Sequence, residues 1–220
     1  MLRFSHIQSF KTLSNWLLAQ NRRVIVFFRS SKKIPNSAHL AKLDLALISF
    51  EGPNENQLGH LLDFLLTTKS LTTLQITLRK FAKSNSVNTF IERLKECSEL
   101  SSMTLQFDDC SCVDNSLLMS ITRSLNDLPK FANLAISCRL RSLSSTALQY
   151  TNSEIKSFFS SISELKNLEE FDFSFQGSLE LVINRKFVAL CMSLKNLNQL
   201  RKLSLQIYNS KGLLIFQLNG

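Results

Sequence analysis

One apolar pattern of eight residues, L-x-x-L-x-L-x-L, constrains this chain more than any other feature, because it returns six times. The copies begin at residues 40, 71, 100, 131, 168 and 200, so successive starts lie 31, 29, 31, 37 and 32 residues apart. Within each copy the last apolar positions alternate with polar ones. Leu74, Ile76 and Leu78 are interleaved with Gln75 and Thr77, and Met103, Leu105 and Phe107 with Thr104 and Gln106. A period of two marks a strand with one buried face.

Between copies the period becomes helical. Leu58, Leu61, Leu62 and Leu65 form one stripe; Val87, Phe90, Ile91 and Leu94 the next; Leu117, Leu118, Ile121 and Leu125 the third. Ile155, Phe158, Phe159, Ile162 and Leu165 continue the series, followed by Phe187, Leu190, Cys191 and Leu194. Ser86, Ser116 and Ser153 stand before three of these stripes as expected N-caps. Strands this far apart in sequence cannot be hairpin partners, so they are expected to run parallel with a helix between. The expected fold class is α/β: a solenoid of parallel β/α repeats.

The segment Cys97-Ser98-Glu99-Leu100-Ser101-Ser102-Met103-Thr104-Leu105 looks like a helix-to-strand junction, with a cysteine three residues ahead of the repeat. Through it and its five counterparts, the array over residues 40–208 resembles the leucine-rich repeat family, in its long, ribonuclease-inhibitor-like class, which implies a right-handed solenoid with a curved parallel β-sheet on its concave face and helices on its convex face. Family repeats usually carry an Asn just after the strand, whose side chain ties the turn together. Here the strand takes an extra apolar step at Leu47, Leu78, Phe107 and Phe175. That longer form is similar to the degenerate repeat arrays of ciliate proteins, some of them fused to protein kinases. No Gly-rich phosphate loop, H-R-D or D-F-G occurs in this sequence, and its five glycines (Gly52, Gly59, Gly177, Gly212, Gly220) never cluster.

The ends are less regular. Residues 21–28 keep the strand rhythm through Val24, Val26 and Phe28, behind an apolar side of Ile7, Phe10, Leu13, Trp16 and Leu17. They start only 19 residues before the next copy, too few for a full helix between. Leu213, Leu214, Ile215 and Phe216 suit a short terminal strand that closes the array. Three stretches are therefore expected: a basic N-terminal segment over 1–39, about six repeats over 40–208, and a closing strand over 209–220.

At 44% hydrophobic, with 5 Gly and 3 Pro in 220 residues, the chain can bury a full core, which excludes disordered and collagen-like classes. The net charge of +9 is not spread evenly. Residues 1–43 hold eight basic residues and no acid, while residues 44–220 hold eighteen basic against seventeen acidic. Arg22, Arg23, Arg29, Lys32 and Lys33 are the heart of this basic segment. Its composition fits a mitochondrial transit peptide, a degenerate capping repeat, or an arm that docks on RNA or an acidic protein.

Five cysteines without regular spacing point to a reducing compartment rather than a disulfide framework. An intracellular, cytoplasmic location is expected, with a mitochondrial one as the alternative. The longest apolar run near the start, 24–28, is far short of a membrane span. Cys110 and Cys112 form the only close cysteine pair and have no histidine near them, so no metal site is expected. Cys97, Cys138 and Cys191 occupy apolar repeat positions and read as inert core.

In such an array the polar residues between the buried leucines face the concave side. These positions carry four basic and four acidic residues, with Tyr208 the sole aromatic. Nucleic acid wants a basic stripe with stacking platforms, which this face lacks. Protein hot spots favour Arg and Tyr, so Arg79, Asp108, Arg139, Asp172, Gln176 and Tyr208 are the expected binding residues. His6, His39 and His60 lie before the regular array or on its first helix, and no catalytic arrangement, metal or cofactor is expected. The expected function is a non-catalytic protein-interaction module or assembly scaffold. The alternatives are a subunit of a large mitochondrial complex with a targeting or RNA-contacting N-terminus, and a regulatory fragment related to repeat-containing kinases.

Overall fold

The computed structural model describes residues 24–29, 41–49, 70–80, 85–110, 113, 115–139, 152–176, 194, 197–209 and 212–219. Its strands are β1 (Val24–Arg29), β2 (Lys42–Ser49), β3 (Thr73–Arg79), β4 (Ser102–Asp108), β5 (Asn133–Arg139), β6 (Glu170–Gln176), β7 (Lys202–Asn209) and β8 (Gly212–Asn219). The helices are α1 (Asn85–Arg93), α2 (Asn115–Asn126) and α3 (Asn152–Ile162). All eight strands form one sheet in strictly sequential order. Strands β2 to β7 are parallel, and β1 and β8 run antiparallel at the two edges. The chain is thus α/β with a mostly parallel sheet.

The register follows the sequence repeat position by position. Leu43, Leu74, Met103, Leu134, Phe171 and Leu203 form one cross-strand row, and Leu45, Ile76, Leu105, Ile136, Phe173 and Leu205 the next. Every one of these side chains is buried. The reason is the period of two: a slip of one residue would turn a whole row of leucines to the opposite face. Each such side chain contributes roughly 1.5–3 kcal/mol on burial, so the register is strongly specified.

The helical stripes join these rows in a single core, with α1 packed on α2 and α2 on α3. Phe158 and Phe159 of α3 meet Phe171 and Phe173 of β6, with Phe159 edge-on to both at 6.1 and 5.4 Å between ring centroids. Behind them Thr122 Oγ1 of α2 lies 2.9 Å from Ser161 Oγ of α3, and Ser161 donates to the Phe158 carbonyl at 2.7 Å. This buried polar link thereby satisfies itself.

A second regularity escaped the sequence reading. After each helical stripe the apolar residues fall three apart: Leu94, Cys97, Leu100; Leu125, Leu128, Phe131; Ile162, Leu165, Leu168; and Leu194, Leu197, Leu200. The backbone of each closes successive i→i+3 hydrogen bonds, such as Cys97 N–H to the Leu94 carbonyl and Leu100 N–H to the Cys97 carbonyl, both at 2.9 Å. Three residues per turn is the 3₁₀ geometry. It carries the chain from helix to strand while keeping the same side buried.

Two local expectations shift. The helices begin with the dipeptides Asn85-Ser86, Asn115-Ser116 and Asn152-Ser153, so the serines expected as caps are the second helical residues. The residues preceding the helices in sequence are Ser84, Asp114 and Thr151, all good N-cap types. Strand β1 forms as its rhythm suggests, but pairs antiparallel with β2 rather than as a further parallel unit. Its connection to β2 spans only residues 30–41, at the lower limit of length for a parallel crossover. The expected stripes over 58–65 and 187–194 lie outside the described residues, apart from Leu194, which is buried.

Candidate binding face of the sheet

With the helices against one face, the other is left to the polar residues of each strand. In β3 to β6 these are half-buried or exposed, in strict alternation with buried neighbours. Five of the six expected binding residues lie side by side. Arg79, Asp108, Arg139, Gln176 and Tyr208 are direct register partners across β3, β4, β5, β6 and β7. Asp172 is not in that row. It lies four residues earlier on β6, between Ala135 and Ser204.

The row stands at the ends of the strands, where the chain turns away. Arg79 Nε faces Asp108 Oδ2 at 3.4 Å, with 39% of the arginine side chain and 19% of the aspartate exposed. Arg139, Gln176 and Tyr208 are exposed. The turn is made by Lys80 and Asp109, which adopt φ of 58° and 55°. Their N–H groups donate across to the carbonyls of Asp108 and Arg139 at 2.8 and 2.7 Å. The left-handed region costs a non-glycine residue about 1 kcal/mol. These backbone bonds hold the turn there, with the side chains of the row fixed on the rigid strands behind it.

Cys110 is one of the close cysteine pair noted in the sequence. The structure buries it completely, with Sγ donating to the Leu78 carbonyl of the neighbouring repeat at 3.1 Å. The other described thiols are not primed as nucleophiles. Burial, and secondarily Cys110, pushes the Cys138 thiol up to about 12, and burial also raises that of Cys97.

Nearer the strand starts the face carries a shallow depression of about 190 Å³. Ala135 lies in it because alanine is the smallest side chain in its cross-strand row, between Thr104 and Asp172. Glu170, Asp172 and Lys202 line one side, with Lys202 Nζ 3.7 Å from Glu170 Oε2. Loss of solvent among its neighbours raises the Asp172 carboxyl above its ordinary value, while Lys202 and the Ser204 hydroxyl pull the other way. Ser204, the register partner of Asp172 on β7, is buried. The Gln206 amide covers it, 3.4 Å from its Oγ. Aligning the repeats in columns would have disclosed the depression, since Ala135 is visibly the gap in its column.

Of the basic segment, only Arg29 falls in a described element, at the end of β1 opposite Asp44. Arg22, Arg23, Lys32 and Lys33 lie outside the described residues, as do His6, His39, His60, Cys112 and Cys191. Among the described residues no three His, Cys, Asp or Glu side chains converge to hold a metal ion. Among those same residues no helix is long and apolar enough to cross a membrane.

No family model matches this chain, and no curated protein matches it.

Proposed function

We propose that the chain is a leucine-rich-repeat solenoid, curved with its sheet on the inside, and that it acts as a non-catalytic module binding a protein partner through the open sheet face. The observation that carries this reading is the cross-strand row Arg79, Asp108, Arg139, Gln176, Tyr208, in which five consecutive parallel strands each offer a polar side chain at the same height. Rigid strands present such a row with little entropy left to lose on binding. Arg and Tyr are the side chains in which interface energy concentrates.

The decisive test combines Arg79→Glu, Arg139→Glu and Asp172→Lys in one chain and compares crosslinked partners with those of the wild type. Loss of the partners supports the reading, and an unchanged set ends it. Binding that falls steeply with salt and vanishes on deleting residues 1–33 would instead favour the basic segment as the contact. The solenoid shape has its own check in solution scattering. A compact globule of this length has a radius of gyration of about 17 Å, and an open arc should exceed it.

A further inference from the structure

Strand β8 carries apolar side chains on both faces, with Gln217 and Asn219 completing the open one. Its register with β7 sets Leu213 and Ile215 opposite Tyr208 and Gln206 on the open face, and Phe216 and Leu218 opposite Leu205 and Leu203 on the core face. These four side chains remain 48, 53, 37 and 49% exposed. The strand ends the sheet, and no described strand pairs with its far edge. Residues 212–219 contain no charge and no proline, the devices by which edge strands are ordinarily kept from pairing.

We propose that the far edge of β8 pairs antiparallel with β8 of a second copy of this chain, joining two sheets into one about a two-fold axis. The strand's own pattern selects that occupant. A partner strand patterned like β3 or β4, apolar on one side only, would match one face of β8 and set polar side chains against the other. Two described strands have two or more large apolar residues at both alternating sets of positions, β1 and β8, and of these β8 alone carries no charge.

An antiparallel pair of identical strands is self-complementary under a two-fold. Directly opposed residues share a face, so odd-numbered residues must meet odd and even meet even. The axis then passes through a residue, and Ile215 is the choice that serves both faces: it sets Ile215 against its own copy on the open face and Leu214 against Phe216 on the core face, with Leu213 opposite Gln217. Charge points the same way. The acid-free basic stretch 1–43 contributes β1 and the start of β2, at the opposite end of the strand order from β8, so two copies of a +9 chain repel least when they meet there.

The area sets the strength. Four half-exposed side chains offer roughly 300–400 Å² of apolar surface per copy. With the backbone edge this stays below the ~1,200 Å² that marks the low end of stable interfaces, so the pair is a reversible dimer rather than an obligate one.

Sedimentation velocity on the full chain between about 1 and 100 μM should show the mass rising from one chain to two. Ile215→Lys, on the open face and away from the core, should raise the dissociation constant at least tenfold with an unchanged circular dichroism spectrum. Gln106→Lys, on the open face of β4, should leave it alone. Hydrogen exchange on the wild type needs no variant: the amides of 212–219 should gain protection with concentration while those of β4 do not. A monomer throughout the range, a dimer indifferent to Ile215→Lys, or far-edge amides of 212–219, those turned away from β7, already protected at the lowest concentration would each overturn the proposal.

Discussion

Phe171 and Asp172 are neighbours on β6, yet they belong to two surfaces under different rules. Phe171 is 1% exposed and packs edge-on against Phe159. Asp172 lies on the open face beside a depression lined by Glu170 and Lys202. On the core face identity is dictated by shape, and every row from β2 to β7 is apolar. On the open face the side chains vary freely in charge and size from strand to strand. The lesson is that the core face sets the fold and register, while the open face is free of that constraint. β8 is where the distinction ends, because both of its faces carry apolar side chains.

The sharpest test of that division is the largest expected effect. Phe171→Ala should cost about 3–5 kcal/mol, the penalty for a buried aromatic whose cavity cannot collapse. Phe216→Ala, on the core side of β8 but 37% exposed, should cost only about 1–2 kcal/mol. Urea unfolding of both variants decides it. Equal losses would mean that β8 is as deeply integrated as the central strands, and the contrast between them would fall.

Next in size is the polar link behind the core. Thr122 is 2% exposed, and its hydroxyl lies 2.9 Å from both Ser161 Oγ and the Met119 carbonyl. Thr122→Val keeps the shape and removes the hydroxyl, so it should destabilise by about 1–2 kcal/mol. Ser161 keeps its own bond to the Phe158 carbonyl, so the double variant with Ser161→Ala should cost less than the sum of the singles. Strict additivity would show that α2 and α3 are not coupled through this pair.

A smaller effect of opposite sign sits at the strand ends. Lys80 holds φ at 58°, where glycine is at ease. Lys80→Gly should therefore stabilise by up to about 1 kcal/mol, partly offset by glycine's greater freedom in the unfolded chain. Thermal unfolding reads the difference, and a clear loss of stability would mean that the lysine side chain, not the backbone, holds the turn.

The core face was almost wholly legible in the sequence, for a physical reason. Parallel strands flanked by helices take their register from the apolar pattern alone, so aligning the six repeats was equivalent to pairing Leu74 with Met103 and Leu134 with Phe171. What escaped notice depends on other forces. The antiparallel run of β1 follows from a short connection, and the 3₁₀ turns at Leu94, Cys97 and Leu100 follow from a period of three beside the expected 3.6. The register sets five of the six expected binding residues in one row and Asp172 apart, a division that a list of outward positions does not draw because it carries no height along the strand.

The smallest prediction tests the open face by titration. Asp172 loses solvent among its neighbours, and its carboxyl is held above its ordinary value despite Lys202 and Ser204. The folded chain then binds this proton more tightly than the unfolded one. Stability should fall as pH rises from the unfolded carboxylate range near ~4 through the raised folded value, and level off above it. Glu96 has the opposite sign. Arg93 hydrogen-bonds it at 2.8 and 3.1 Å and lowers its pKa, so its contribution is present above the ordinary carboxylate range and is lost as pH falls through the lowered folded value. Asp172→Asn should therefore equal or exceed the wild type in stability at pH 7 and converge with it in acid, whereas Glu96→Gln should fall slightly below at pH 7. Urea unfolding of the three chains across this range measures both. If Asp172→Asn is the weaker chain at neutral pH, the attraction of Lys202 outweighs the loss of solvent, and Asp172 is a tied structural charge rather than a carboxylate left open to a partner.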